Sequence, residues 1–295
     1  MTTITDPSYV NSALINPRAL RLVEAFKDAL ARLRDEEGLT FDDINAVTDV
    51  LQQMQQATGV PLALAAMPLY GELFQGGQDG YTPSEDVNSP TFVPGSPRID
   101  NPGTLPMRPD EPGIPLVVSG RVLDGHGQPL TGAKLDIYHA ANNGNYSGLW
   151  DDGQPKYNLR GHLFTDEDGR FTFTTITPVA YADATTMAVD RVVEAAAALG
   201  RSLYRPAHIH YEVHHPDLIT PWRGETYFKG DPVIPVDFVG AKIAHPALQG
   251  DTSLHEDPED IAGHGFQGPY RTMEFDFVLK TRTSPDTITP KAGKA

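Results

Sequence analysis

The 295-residue chain contains no cysteine. This absence excludes a disulfide framework, a thiolate metal site and a cysteine nucleophile. The sequence also has no apolar run of the ~20 residues that a membrane-spanning helix needs. Residues 1–7 lack the basic and apolar regions of a signal peptide. We therefore expect a soluble, cytoplasmic protein.

Positive charge is scarce as well. Lysine and arginine together number 23 against 39 aspartates and glutamates, which gives a formal net charge of -16. A surface of this sign repels phosphate backbones and anionic lipid. Neither nucleic acid nor a membrane surface is therefore an expected partner.

Glycine and proline are abundant, at 27 and 26 residues, and many of them lie between residues 76 and 115. The apolar residues have different periods on the two sides of this stretch. Leu20 and Phe26 belong to a helical pattern, and a second one runs over 40–59. After residue 115 the alternation has the two-residue period of strands, interrupted by a helical pattern at 188–199.

These patterns predict a mainly β protein, an antiparallel β-sandwich preceded by a small helical amino-terminal domain. The predicted divisions are a helical domain at 1–75, an ordered Pro/Gly-rich connection at 76–114, the sandwich at 115–281 and a tail at 282–295. The apolar run at 60–74 must be buried, against either the sandwich or another subunit.

The most informative local pattern is Arg-Pro-Ala-His-Ile-His-Tyr at 205–211. Along a strand, His208 and His210 project from the same face. Neutral imidazole is a ligand for zinc, copper, iron and nickel, so the pair is half of a metal site. Taken alone, such a pair is more often structural, and no His-Glu-x-x-His helix accompanies it.

Two tyrosines in loop-like settings precede the histidine pair, Tyr146 among glycine, asparagine and serine, and Tyr181 shortly after Pro178. A phenol with a pKa of about 10 ligates as phenolate only where a strong cation removes its proton. Ferric iron is a hard acid that prefers anionic oxygen. Each tyrosine alone is more often an ordinary loop residue, but the combination with the histidine pair points to ferric iron.

The chain resembles the intradiol ring-cleavage dioxygenases from about residue 82 to 280, in the branch of the catechol and hydroxyquinol 1,2-dioxygenases. The resemblance implies that Tyr146, Tyr181, His208 and His210 bind a mononuclear non-haem Fe(III). It places Arg205 beside the iron, where the guanidinium would stabilise negative charge on the ring. The segments that carry the resemblance are 89–93, 120–124, 132–140, 158–160, 165–170 and 205–210.

The implied reaction inserts both atoms of O2 into a small aromatic diol between the two hydroxylated carbons, which gives a cis,cis-muconate. In the family, the tyrosine at the position of Tyr181 leaves the metal and accepts a proton, so Tyr181 and Arg205 are the expected catalytic residues. A hydroxyquinol or substituted-catechol enzyme, with a maleylacetate-type or substituted muconate product, is the alternative within the family.

The substrate pocket is where the chain departs from the family. Val87, Pro90 and Thr91 align with positions that face the ring, and Glu225 stands where glutamine is usual. Glu225 either faces the pocket, where it would repel an anionic substrate, or pairs with Arg223 or Arg205 and points away.

Further expectations concern four other histidines and the amino-terminal helices. His139 and His162 are candidates for hydrogen bonds near the iron, whereas His214 and His215 are expected on the surface or behind the ligands. We expect a homodimer joined by residues 17–58, with a lipid-like molecule such as a phospholipid as a further candidate between the helices.

Two readings from other classes stay open at this level. The Gly- and Asp-rich strand pattern at 120–174 is also common in non-catalytic β-sandwich binding modules. A zinc hydrolase could use His208 and His210, although the sequence offers no obvious third ligand.

Overall fold

The computed structural model describes residues 16–58, 79–84, 89–182, 187–237 and 245–289. The chain divides into two compact units, residues 1–52 and 53–295. The predicted domain limits at 75, 115 and 281 stay predictions, and the apolar run at 60–74 lies outside the described residues.

The two amino-terminal helices have the ends that their sequences predict. Helix α1 (Pro17–Glu37) begins at Asn16, whose side chain accepts hydrogen bonds from backbone N–H groups of the first turn. It ends at Gly38, whose φ of 73° lies in the left-handed region. Helix α2 (Phe41–Thr58) begins after Thr40, which exchanges hydrogen bonds with Asp43. None of the described helices is long and apolar enough to cross a membrane.

Beyond residue 100 the described chain is mostly strands, because apolar residues alternate between turns rich in glycine and aspartate. Two further helices are α3 (Asp190–Ala198), within the predicted span, and the short α4 (Pro258–Gly263). The strands are β1 (Gly103–Thr104), β2 (Pro115–Asp124), β3 (Lys134–Tyr138), β4 (Arg160–Phe164), β5 (Arg170–Ile176), β6 (Tyr181–Ala182), β7 (Tyr204–Arg205), β8 (His208–His214), β9 (Trp222–Phe228), β10 (Gln249–His255), β11 (Tyr270–Glu274) and β12 (Phe277–Leu279).

Most of these strands form one sheet in the order β1-β5-β2-β11-β10-β9-β8-β3-β4, with β12 paired to β2. The pairs β2–β5, β3–β4, β3–β8, β8–β9 and β10–β11 are antiparallel. The pairs β1–β5, β9–β10, β2–β11 and β2–β12 are parallel, so the sheet is mixed.

The two ends of this strand order face each other across one core. Val118 of β2 and Phe173 of β5 share a buried cluster with Leu135 of β3 and Tyr211 of β8. The rings of Phe173 and Tyr211 lie 6.3 Å apart, edge to face. Two β layers over one apolar core make a β-sandwich, which confirms the predicted fold class.

The antiparallel register aligns a row of polar side chains across four neighbouring strands. Tyr138 of β3 lies opposite Arg160 of β4 on one side and opposite His210 of β8 on the other. His210 lies in turn opposite Glu225 of β9. Residues directly opposite each other in a sheet share a face. The sheet therefore presents these four side chains side by side.

Candidate metal centre

Four side chains named from the sequence converge on one buried point. The Tyr146 hydroxyl oxygen lies 3.0 Å from the Tyr181 hydroxyl, 3.0 Å from His208 Nε2 and 2.9 Å from His210 Nε2. Tyr146, His208 and His210 are almost fully buried, and Tyr181 is half-buried. The structure thus brings together two phenols and two imidazoles from three separate segments, the loop that carries Tyr146, strand β6 and strand β8.

Hydrogen bonds on the far side of each imidazole ring select its tautomer. His208 Nδ1 lies 2.7 Å from the carbonyl oxygen of Pro206, which can only accept, so Nδ1 carries the proton. His210 Nδ1 lies 3.4 Å from Glu225 Oε1, an acceptor of the same kind. The Nε2 lone pairs of both rings therefore point at the Tyr146 oxygen, and each His has the outer partner usual for a metal ligand.

The donor set fits a metal ion better than it fits hydrogen bonding alone. One phenol proton cannot satisfy the three polar neighbours of the Tyr146 oxygen. Neighbouring donors around an octahedral ion with bonds of 2.0–2.1 Å are about 2.9 Å apart, close to the spacing observed. The four residues could therefore hold a metal ion.

Burial sets the charge state of these groups. It lowers the pKa of His208 and of His210, so both imidazoles are neutral and able to ligate at neutral pH. Burial also raises the pKa of Tyr181 to about 12 and that of Tyr146 well above 10.0. The phenolate forms therefore need a strong cation beside them.

The loop that carries Tyr146 is tightly fitted against Tyr181. Gly144 has a φ of 83°, and a Cβ at this position would lie 2.8 Å from the Cβ of Tyr181. A side chain there would displace Tyr181 and strain the backbone. The Ser147 hydroxyl donates to the carbonyl of Asn158, which ties the other end of the loop to the sandwich.

Arg205 lies at one edge of the site and is held by two carboxylates. Its Nη2 donates to Glu225 Oε2 at 2.7 Å, and its Nε donates to Asp237 Oδ2 at 3.0 Å. Burial lowers the pKa of Arg205, but the two carboxylates more than offset it, so the pKa is raised. Arg205 also lies opposite Tyr181 in the β6–β7 pair. A permanent cation therefore stands next to this tyrosine.

The contacts of Glu225 match the alternative in which it pairs with an arginine. It pairs with Arg205 through Oε2, and Tyr227 donates to the same oxygen. Its Oε1 lies 3.9 Å from His208 Nε2 and 3.4 Å from His210 Nδ1. Burial raises the pKa of Glu225, but the charge of Arg205, together with the hydrogen bond from Tyr227, outweighs it and holds the pKa well below 4.5. Glu225 is therefore an anion at the rim of the site.

His208, His210 and Glu225 form a second donor set, with ligand atoms within 4.8 Å of one another. This set shares both histidines with the first one, but its carboxylate lies on the other side of the His210 ring. Glu225 lies on the Nδ1 side of His210, whereas the two tyrosines lie on its Nε2 side. One ion bound through His210 Nε2 therefore has the tyrosines as neighbours, and Glu225 stands behind the imidazole.

The structure describes fewer contacts for the remaining residues that were predicted to face the substrate ring. Val87 lies outside the described residues. Pro90 is exposed and Thr91 is half-buried, with its hydroxyl 2.7 Å from that of Ser89. Phe92 packs against Tyr138, with ring centroids 5.8 Å apart. The segment thus approaches the site through Tyr138, and ring contacts of Pro90 and Thr91 stay predictions.

The four other histidines named from the sequence have hydrogen-bond or ion-pair partners away from the four donors. The His139 nitrogens lie 2.8 Å from the Ala140 carbonyl and 2.7 Å from the Thr175 hydroxyl. His162 Nδ1 lies 2.9 Å from the Ser96 carbonyl. His214 Nε2 lies 3.4 Å from Glu212, and His215 Nε2 lies 3.2 Å from the Thr131 carbonyl, so both face other parts of the sandwich.

Four residues that shape the site were missed in the sequence. Asp237 and Tyr227 hold the Arg205–Glu225 pair. Tyr138 lies opposite His210 in the register row, and Arg160 lies opposite Tyr138 on its other side. A local period was present only for Tyr138, at the end of β3, although Arg160 lies in segment 158–160, which carries the family resemblance. The other three come into the site through long-range packing, which no local pattern encodes.

Comparison with known proteins agrees with this geometry. Residues 87–281 match the profile of a family described as Dioxygenase. The chain is 30% identical over 269 residues to a chlorocatechol 1,2-dioxygenase of Rhodococcus opacus, covering 90% of this chain and 99% of that one. It is 29% identical over 275 residues to a catechol 1,2-dioxygenase of Acinetobacter baylyi, covering 90% and 86%. A crystal structure of hydroxyquinol 1,2-dioxygenase from Pseudomonas putida superposes with a TM-score of 0.72 at 28% identity, covering 94% of each chain.

The chain therefore belongs to the intradiol ring-cleaving dioxygenase family. This membership confirms the family resemblance and makes the chain an oxygen-inserting enzyme. It leaves the non-catalytic β-sandwich module without support. The relatives have three different ring substrates in their names, so membership alone does not select one.

Proposed function

We propose that the chain is a non-haem Fe(III) intradiol dioxygenase whose ligands are Tyr146, Tyr181, His208 and His210. The observation that carries this proposal is the convergence of the four donor atoms, with both imidazole Nε2 lone pairs turned toward the Tyr146 oxygen. Two phenolates supply anionic oxygen, which a hard trivalent ion prefers over zinc-type ligands. The same donor set disfavours a zinc hydrolase, because that enzyme would need neither tyrosine.

When bound, ferric iron would act as a Lewis acid and as a template for the two oxygens of the diol. The residues of the chain supply the rest. Arg205, fixed by Glu225 and Asp237, places a guanidinium beside Tyr181 and can stabilise negative charge that builds on the ring. The Tyr181 oxygen, with a pKa raised to about 12 by burial, is suited to take up a proton as the diol binds.

The charges of three residues beside the metal centre support a substrate class. Arg205 carries one positive charge, and Glu225 and Asp237 carry two negative charges, so this buried group is anionic overall. The negative charge of this group would repel a catechol that carries a ring carboxylate, whereas a third hydroxyl on the ring could donate a hydrogen bond to it. We propose neutral catechol-type rings as substrates, with hydroxyquinol tolerated, and cis,cis-muconate-type products.

The exposed apolar residues of the amino-terminal helices support a homodimer. Phe26 and Val23 in α1 and Phe41 and Val47 in α2 are exposed in the single chain. An apolar helical surface of this kind is unfavourable in water and is typical of an interface. We propose that residues 17–58 join two copies, with a phospholipid-like molecule as the candidate to fill any gap between the helices.

Oxygen uptake tests the proposed reaction directly. Iron-loaded protein should consume O2 with catechol and release a product with the ultraviolet absorbance of a muconate. Protein treated with an iron chelator should recover activity with iron and not with zinc. A yellow product of cleavage beside the diol, or hydrolysis without O2 uptake, would overturn the proposal.

A further inference from the structure

Arg160 of β4 is a buried arginine that the proposed chemistry does not use. Its side chain is 1% exposed. Its Nε donates to the backbone carbonyl and to the hydroxyl of Ser147, both at 3.0 Å. Among the described residues its Nη1 and Nη2 have no hydrogen-bond partner, and no carboxylate forms an ion pair with it. Burial of an unpaired charge costs folding free energy, so we expect this charge to have a role in the site.

Two aromatic rings of the site surround the guanidinium. Its central carbon lies 5.0 Å from the ring centroid of Tyr138 and 5.8 Å from that of Tyr146. Tyr138 is in turn stacked on His210, with centroids 4.7 Å apart and planes 3° from parallel. Arg160, Tyr138 and His210 thus form a column across β4, β3 and β8, which the register of these strands fixes.

The residue before Arg160 has an unfavourable backbone conformation. Leu159 has a φ of 57°, in the left-handed region that a branched side chain rarely adopts. Leu159 is also fully buried, and its N–H donates to the Pro106 carbonyl at 2.6 Å. Such strain persists only where the surrounding structure enforces it, and it is concentrated at functional sites.

We propose that Arg160 is a positioning residue of the metal centre. Its guanidinium holds the Tyr146 ring directly and the His210 ring through Tyr138, and its unpaired positive charge stabilises the anionic oxygen of Tyr146 when this tyrosine binds metal. This inference rests on the proposed iron centre. No carboxylate of the described residues neutralises Arg160. The metal-bound oxygen of Tyr146 would supply the negative charge that balances it.

The test compares iron-loaded Arg160→Met, Arg160→Gln and Arg160→Lys with the unmodified protein. Loss of the charge should weaken iron binding about 10- to 100-fold, as measured by release to a chelator. It should also move the visible phenolate-to-iron band to longer wavelength, because a cation near the phenolate disfavours removal of an electron from it. Lysine keeps the charge, so its band should stay near that of the unmodified protein.

Arg98→Met is the matched control, since Arg98 lies 5.0 Å from the ring centroid of Phe164 but is exposed and outside the site. It should change neither the band nor the release of iron. If Arg160→Met does not fold, Arg160→Gln, which keeps a donor for Ser147, carries the same test. An unchanged band and unchanged iron release in either folded neutral variant would overturn the inference, as would a lysine variant shifted as far as the neutral ones. An unmodified protein without iron or colour would instead overturn the proposed function.

Discussion

At the scale of single residues, the two tyrosines of the site have different positions in the donor set, and burial keeps both protonated when no metal ion is bound. The pKa of each is raised, and the Tyr146 oxygen touches both imidazoles while the Tyr181 oxygen touches only Tyr146 among the other three donors. Tyr146 is thus central to the donor set and Tyr181 peripheral. A peripheral ligand is the one that a substrate can displace without dismantling the site.

Tyr181→Phe should therefore keep part of the iron, shift the visible band and slow turnover strongly, because three donors remain but the proton acceptor is lost. Iron content, the visible spectrum and the rate of O2 uptake measure the three effects. Tyr204→Phe, at a half-exposed position opposite Ala182, is the control and should match the unmodified protein. A Tyr181→Phe variant with the original spectrum and rate would show that Tyr181 is not a ligand.

Glu225 gives the second prediction at this scale. Unit charges ~4 Å apart repel by ~4 kcal/mol at an effective dielectric of 20. The pairing of Glu225 with Arg205 reduces this figure, but Asp237 leaves the group anionic. We expect catechol to be turned over much faster than protocatechuate, which carries a ring carboxylate. Glu225→Gln should narrow the ratio of the two kcat/KM values by about tenfold, equivalent to ~1.4 kcal/mol.

Glu212→Gln is the control for this change. Glu212 is also a buried carboxylate on the neighbouring strand, but it pairs with Arg223 and His214 instead of Arg205. Its replacement should leave the substrate ratio unchanged. Equal turnover of catechol and protocatechuate by the unmodified protein would show that the charge of Glu225 does not reach the substrate.

At the scale of elements, the register of β4, β3, β8 and β9 determines what a sequence could and could not predict. The alternation of His208 and His210 is a local property of β8, so the pair could be predicted from its period. The two tyrosines were noted from their loop-like settings before the histidine pair, but only the family resemblance implied that both are ligands, because the sequence around them has no period. Arg160 is separated from His210 by 50 positions, and its neighbours in the column depend on strand pairing that no local pattern reveals.

The junction of β3 with the loop that follows contains a histidine that couples stability to pH. Burial lowers the pKa of His139 to about 4, while its unfolded value is about 6.5. Above pH 6.5 the imidazole of His139 is neutral in the folded and unfolded states, so its protonation does not lower the free energy of unfolding. Below it the unfolded state takes up the proton first, so stability is lost as the pH falls from about 6.5 to about 4, by up to about 3 kcal/mol.

Denaturant unfolding across this pH range measures the effect. His139→Gln should lower stability near neutral pH through lost packing but should flatten its dependence on pH between 4 and 6.5. His126→Gln, at an exposed turn, should leave the dependence as it is. An equal slope in the His139→Gln and unmodified proteins would contradict the role of His139.

At the scale of the whole molecule, the exposed apolar residues of the amino-terminal helices predict a dimer. We expect a mass of about 64 kDa at micromolar concentration, twice the 32.1 kDa of the chain. Phe26→Glu should shift the molecule toward the monomer, because a charge there would be buried in the interface. Leu254→Glu, at an exposed apolar position of β10, is the control. Light scattering that gives about 32 kDa for the unmodified protein would contradict the dimer.

The central claim is that two tyrosines and two histidines of this chain hold ferric iron, and one measurement tests it most directly. The visible absorption spectrum of the purified protein, recorded with its iron content, should show about one iron per chain and a broad phenolate band that colours the protein wine-red. His208→Ala should lose the iron and the band together. A folded protein that is colourless, either without iron or with iron but no visible band, would contradict the claim.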